Sequence, residues 1–191
     1  MKPIPVLEHK HLQSCKVLPT RYDILDMMPK NSICTEVGVL YGDFSQEILR
    51  RVQPKEFYLI DLYRMYEDHY KDIFMGFNSD KNVFPLMGTS WEILSNFNDE
   101  TFDFIYIDAG HNYEDVKRDA EIAMNKIKKD GYIIFNDYIL YNNFTKIQKE
   151  PELFGVPYVI HELCLDYNFE FKYIALHPYM FCDVALKRIG E

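Results

Sequence analysis

The chain has 191 residues, a formal charge of −9, 48% hydrophobic residues and 16% aromatic residues. That length suits one domain with a substantial core, and that composition excludes a disordered chain. The acidic balance argues against nucleic acid or an anionic membrane as the main partner, because both need a basic face.

Cys15, Cys34, Cys164 and Cys182 form no Cys-x-x-Cys pair, and three of them lie in or beside apolar segments. They read as reduced, packed thiols. The start, Met1-Lys2-Pro3-Ile4-Pro5, lacks the apolar run of an export signal, and no apolar stretch is long enough to span a bilayer. The expectation is a cytoplasmic protein.

No internal repeat or linker is evident. Residues 1–30 read as a polar arm followed by a short helix at about residues 22–28, ended by Pro29. Residues 32–36 form a short strand. A glycine turn follows, then a helix over residues 43–52, with Asp43 and Gln46 spaced as a capping box. Residues 56–61 are the second strand, residues 64–77 a helix, residues 83–87 a strand and residues 90–97 a short helix. Phe102 to Asp108 is the next strand. Residues 113–129 read as an amphipathic helix, with Val116, Ala120, Ala123, Met124 and Ile127 on one face and Gly131 at its end. The strand Tyr132-Ile133-Ile134-Phe135 follows at once. A helix at residues 156–164 leads to two alternating segments, residues 169–175 and 181–188, which read as an antiparallel hairpin.

Two apolar strands therefore end in acids. One runs into Asp108-Ala109-Gly110-His111 and the other into Asn136-Asp137-Tyr138. In a parallel sheet covered on both faces, neighbouring strand ends open into one crevice, and ligands sit there. Two carboxylates, an amide and an imidazole should converge on that crevice. Taken singly, Asp108 and Asp137 are equally compatible with capping the elements that follow them.

The loop Glu36-Val37-Gly38-Val39-Leu40-Tyr41-Gly42-Asp43-Phe44-Ser45 joins the first strand to its helix. Its glycines let backbone amides approach a ligand, and the helix start suits a carboxylate, with Ser45 placed to donate a hydroxyl. It matches neither the Gly-x-Gly-x-x-Gly fingerprint nor a P-loop, and by itself it is also compatible with an ordinary tight turn. Asp61, at the tip of the second strand, is placed to accept from ribose hydroxyls, so the pair reads as a site for a ribose-containing ligand. Trp91 is read with equal weight as a core residue or as a stacking surface. His161 and His177 read as packed or surface residues.

These residues resemble the class I S-adenosylmethionine-dependent methyltransferases. Glu36-x-Gly38-x-x-x-Gly42 resembles their first motif, Asp61 their ribose-binding acid, and Gly88-Thr89-Ser90-Trp91-Glu92-Ile93 the segment that flanks adenine. The resemblance covers nearly the whole chain from about Arg21. It implies a Rossmann-like, doubly wound, mostly parallel seven-stranded sheet with a C-terminal antiparallel hairpin. Residues 31–191 would be one methyltransferase domain behind the arm of residues 1–30. Glu36, Gly38, Gly42, Ser45, Asp61, Ser90, Trp91 and Asp108 would bind the cofactor.

Within that class, Asp108, Asn136 and Asp137 are similar to the magnesium ligands of the catechol-type O-methyltransferases. Asp108-Ala109-Gly110-His111 is similar to the Asp-x-x-His of the macrocin and mycinamicin sugar O-methyltransferases, which supplies a metal ligand and a general base. The implied function is methyl transfer to a hydroxyl of a small polar metabolite, such as a sugar or glycosylated compound. Mg²⁺ on Asp108, Asn136 and Asp137 would acidify that hydroxyl, and His111 would take its proton, with Asp108 beside it in the catalytic pair. Two other functions remain open on the sequence: a metal-independent N- or O-methyltransferase, and a non-catalytic protein on the same fold. A homodimer is a further expectation.

Overall fold

A computed structural model describes residues 3–62, 76–77, 80–142 and 152–190. The helix expected at residues 64–77 lies almost wholly outside them. Ten strands are present among the described residues: β1 (Lys16–Leu18), β2 (Ile33–Val37), β3 (Glu56–Asp61), β4 (Val83–Met87), β5 (Phe102–Ile107), β6 (Ile127–Tyr138), β7 (Tyr141–Asn142), β8 (Glu152–Leu153), β9 (Phe169–Ala175) and β10 (Cys182–Arg188). The α-helices are α1 (Arg21–Met27), α2 (Asp43–Val52), α3 (Ser90–Ser95), α4 (Tyr113–Lys126) and α5 (Val156–Tyr167).

Eight strands form one sheet in the order β1-β9-β10-β6-β5-β2-β3-β4, and β7 pairs with β8 apart from it. Strand β10 runs antiparallel to both its neighbours, and the other pairs are parallel. This is the Rossmann-like, mostly parallel sheet with its closing hairpin, built from β9 and β10. It has one strand more than the seven expected. Residues 16–18 of the arm pair with residues 173–175, and Ser14 donates to Glu170 at 2.6 Å, so the arm is joined to the sheet edge. Three residues are too short a stretch for side-chain alternation to announce a strand.

Helices cover both faces. Ile24, Leu25, Ile48 and Val52 of α1 and α2 pack with Phe57, Phe104 and Ile134 on one side. Val116, Ala120 and Ala123 of α4 join Val159, Ile160 and Leu163 of α5 on the other, over Ile105, Ile133 and Val184. Strands buried on both faces read as near-continuous apolar runs, which is why β5 and β6 were plain in the sequence. Each fully buried Phe, Ile or Leu contributes roughly 1.5–3 kcal/mol. Three of the four cysteines, Cys34, Cys164 and Cys182, are buried, and all four are free thiols. Among the described residues, no helix is long and apolar enough to cross a membrane.

Two local expectations are corrected. Helix α4 stops at Lys126, and residues 127–131 belong to β6. Ile127 pairs with Phe102, and Arg188 Nη2 donates to the Met124 carbonyl at 2.6 Å, closing the helix early. A buried Ile at that position satisfies the helical period and the strand alike, so periodicity could not separate them. The capping box on Asp43 is also absent. Gly42, with φ of 79°, is the N-cap residue, and Asp43 is already inside the helix.

The chain moves outward from β2 through β3 to β4, then returns to β5 on the other side of β2. The carboxyl ends of β2 and β5 therefore diverge, and the crevice between them opens where ligands bind in such sheets.

Candidate functional site

A cleft of about 620 Å³ lies at that switch point, within the size range of small-molecule sites. Glu36, Gly38, Asp61, Ser90, Trp91, Asp108 and His111 all line it, so seven of the expected site residues converge. Gly42, Ser45, Asn136 and Asp137 lie outside its lining.

The glycine loop is fixed from two directions. Gly38 has φ of 88°, and a Cβ there would stand 2.0 Å from the Asp108 carbonyl oxygen. Only glycine lets the β2 loop pass this close to the tip of β5. The Val39 and Leu40 amides donate to Asp61 Oδ2 at 2.7 and 3.0 Å, so the expected ribose-binding acid also organises the loop. Ser45 does not face a ligand. It is fully buried, and its hydroxyl donates to Glu36 Oε2. Burial pushes the Glu36 carboxyl up to about 8, with Ser45 and Arg21 opposing that rise and Asp108 and Asp61 adding to it.

At the opposite wall, the Ser90 hydroxyl donates to Asp119 of α4. Asp119 is 2% exposed, and burial raises its pKa to about 6. Trp91 forms part of the cleft wall, with Arg118 over its ring at 4.4 Å. The lining includes Glu36, Asp43, Asp61, Asp108, Asp115 and Asp119 against a single arginine. An acid-rich cleft with an aromatic wall and a ribose-height carboxylate suits a ligand carrying a sulfonium, an ammonium and a nucleoside.

His111 stands where the cleft meets the tip of β6. Its ring stacks on Phe154 at 4.5 Å and 16°. Its carbonyl accepts from the Gly155 amide at 2.6 Å, which joins the loop after β8 to the Asp-x-x-His turn. Nε2 lies 3.3 Å from Asp137 Oδ2 and 3.7 Å from Asp108 Oδ1. Burial raises the Asp137 pKa to about 6, opposed by the nearby charges of His111, Arg21 and His177. Asp137 holds φ of 57°, a left-handed backbone that turns its carboxylate at the strand end.

Behind the tips lies a buried polar network. Tyr106 donates its hydroxyl to Asp183 Oδ2 at 2.6 Å, and Asn136 Nδ2 donates to Asp183 Oδ1 at 3.2 Å. Arg21 Nη2 donates to the Tyr106 hydroxyl at 2.6 Å and lies 3.5 Å from Asp108 Oδ2. Sequence reasoning missed Arg21, Tyr106, Asp119 and Asp183. Asp119 and Asp183 did leave a trace, as acids placed among the apolar residues of α4 and β10. Arg21 left none.

The expected magnesium site does not fit this arrangement. The Arg21 guanidinium already sits against Asp108, putting a fixed positive charge where the ion would stand, while His111 Nε2 lies within 3.7 Å of Asp108 and 3.3 Å of Asp137 and the Asn136 Nδ2 donates to Asp183. Mg²⁺ requires about six oxygens in a near-octahedral shell. Two unit positive charges at about 4 Å repel by about 4 kcal/mol at an effective dielectric near 20, and a dication doubles that. Among the described residues, no group of three or more His, Cys, Asp or Glu is disposed to hold a metal ion.

His161 serves packing. His161 Nδ1 is 2.6 Å from the Pro5 carbonyl and its Nε2 is 2.6 Å from the Tyr138 hydroxyl. A carbonyl only accepts, so Nδ1 carries the proton and Tyr138 donates to Nε2. His161 thus pins the arm to α5. His177 sits in the turn after β9.

The strand order, the terminal antiparallel strand and the acid-lined cleft define a class I methyltransferase of the kind that uses S-adenosylmethionine. The chain belongs to the methyltransferase domain family, whose model matches residues 35–138. No curated protein matches the sequence at a significant level. Among solved structures it is similar to a candidate type 11 methyltransferase from Sulfolobus solfataricus, at 18% identity, with 90% of each chain covered and a TM-score of 0.61. It is also similar to a Corynebacterium glutamicum protein, at 12% identity over 91% of this chain and 83% of that one, with a TM-score of 0.66. A ribosomal protein L11 methylase from Lactobacillus delbrueckii subsp. bulgaricus shares 14% identity over 96% of this chain and 81% of its own, with a TM-score of 0.63. At such identities the likeness is one of fold, and the fold is common to many acceptors.

Proposed function

We propose that this chain transfers a methyl group from S-adenosylmethionine to a hydroxyl of a small polar acceptor, such as a sugar or glycosylated metabolite, with His111 as general base. The observation that carries this reading is the position of the His111 imidazole, which lines the cofactor cleft with its buried Nε2 turned toward two carboxylates.

The cofactor supplies an electrophilic methyl on a sulfonium. The residues that would hold it are Asp61 at the ribose, Trp91, Ser90 and Asp119 at the base end, and Glu36 with the Gly38 loop at the amino-acid end. His111 takes the acceptor proton on its ring, and the imidazolium then forms with Nε2 beside Asp137 and Asp108, whose charges favour it. Stacking on Phe154 holds the ring plane during that transfer. Holding base and acceptor in this geometry supports the rate further.

The test is methyl transfer from labelled S-adenosylmethionine to a panel of sugars, glycosides, catechols and amines. His111→Ala should lower kcat by roughly 10²–10⁴-fold, the usual contribution of a positioned base. Affinity for S-adenosylhomocysteine, measured by calorimetry, should stay unchanged. Normal turnover by the His111→Ala protein sinks the assignment.

A further inference from the structure

Arg21 is the only arginine or lysine among the described residues that line the cleft. Its guanidinium is enclosed by an aromatic ring, a phenol and two carboxylates, although its buried Nε makes no hydrogen bond among the described residues. It lies 3.8 Å over the Phe44 ring, donates to Tyr106 at 2.6 Å, and approaches Asp108 at 3.5 Å and Asp183 at 3.6 Å. Tyr106 and Asn136 then hold Asp183 from two other strands. The network thereby joins α1, β5, β6 and β10 directly beneath the strand-tip acids.

The seating of Arg21 is built into the fold. It is the first residue of α1, and Thr20 before it closes a capping box with Asp23, whose Oδ2 accepts from the Thr20 amide at 2.9 Å. The preceding residues are held by the β1–β9 pairing and by the contacts of Ser14 and Pro5. The arm thus delivers a rigidly placed, permanently charged fork to the acids. Arginine suits carboxylates and a phenolic oxygen in one plane, which a divalent ion does not.

We infer that Arg21 is the resident cation of this site: it stands where a divalent ion would meet the strand-tip acids, fixes Asp108 beside His111, and keeps metal out. Arg21 is a positioning residue, acting through Asp108 and Asp183. The inference deepens the proposed function and rests on it for the turnover measurements alone.

The experiment uses the full chain and Mn²⁺ as probe, followed by paramagnetic resonance and calorimetry, with thermal melts to check folding. Wild type and R21K should bind no Mn²⁺ at millimolar concentration. R21Q should gain one Mn²⁺ site, and R21Q/D137N should lose it again. Wild-type turnover should be unchanged by EDTA, R21Q should lose roughly tenfold or more, and R21K should recover part of that loss. Mn²⁺ binding by the wild type that D137N abolishes would overturn the inference. A folded R21Q that binds no Mn²⁺ would overturn it too, because Arg21 would then not be what excludes the ion. The metal titration needs no turnover, so an absence of methyl transfer counts against the proposed function and leaves the Mn²⁺ result standing.

Discussion

Asp119→Asn should make this protein more stable at neutral pH and a poorer binder of its cofactor. Asp119 is 2% exposed, and burial lifts its pKa from 3.8 to about 6, with Asp115 raising it further and Ser90 and Arg118 opposing. Between about pH 4 and pH 6 the folded chain holds a proton that the unfolded chain releases, so this residue's contribution to stability falls as pH rises through that window. Above the window the deficit is complete. A shift of about two units corresponds to about 3 kcal/mol, taken as an upper bound. Asparagine keeps the oxygen that accepts from Ser90 and removes the buried charge. Urea unfolding at about pH 7.5 should show a gain approaching that bound, or about 6–12 °C in Tm for a chain of this size. At about pH 4 both proteins carry a neutral group, and the gain should nearly vanish. A gain of equal size at both pH values, or a loss at the higher one, would refute the desolvation argument. Calorimetry should show S-adenosylhomocysteine binding weakened by about tenfold, since a charge-assisted contact is exchanged for a neutral one. A residue that destabilises the fold while facing the cleft is the expected signature of a functional site.

Gly38→Ala forces a methyl into the Asp108 carbonyl from a left-handed backbone. It should cost more than about 3 kcal/mol by urea unfolding and abolish cofactor-product binding, because the loop can only move by leaving the tip of β5. Asp61→Asn replaces a carboxylate that accepts two loop amides. It should cost about 1.5–3 kcal/mol in the same assay and weaken S-adenosylhomocysteine more than the stability loss alone explains, since one carboxylate serves loop and ligand.

The residues that carry the cleft were legible because their signals are local. Glu36, Gly38 and Asp61 lie within one strand-loop-helix-strand unit, and Asp108 and the Asn136-Asp137 pair each follow four apolar or aromatic residues in a row. A parallel sheet turns such runs into neighbouring strand ends, so the convergence of the tips could be read ahead of any coordinates. Ser45 was misassigned for a related reason. Its position in the loop suited a ligand, but α2 rotates it inward to a carboxylate nine positions earlier in the chain.

What the sequence determined by itself was the layered fold, the glycine turn and the acids at the strand ends, because periodicity and turn chemistry act over a few residues. What only the tertiary structure decided was the company those acids keep. Arg21, Tyr106, Asn136 and Asp183 meet across separations of up to 162 positions, the distance from the start of α1 to β10. No local pattern encodes such a meeting. The long-range network places a guanidinium beside Asp108, and for that electrostatic reason a cluster that spells magnesium along the chain is arranged in space around an arginine.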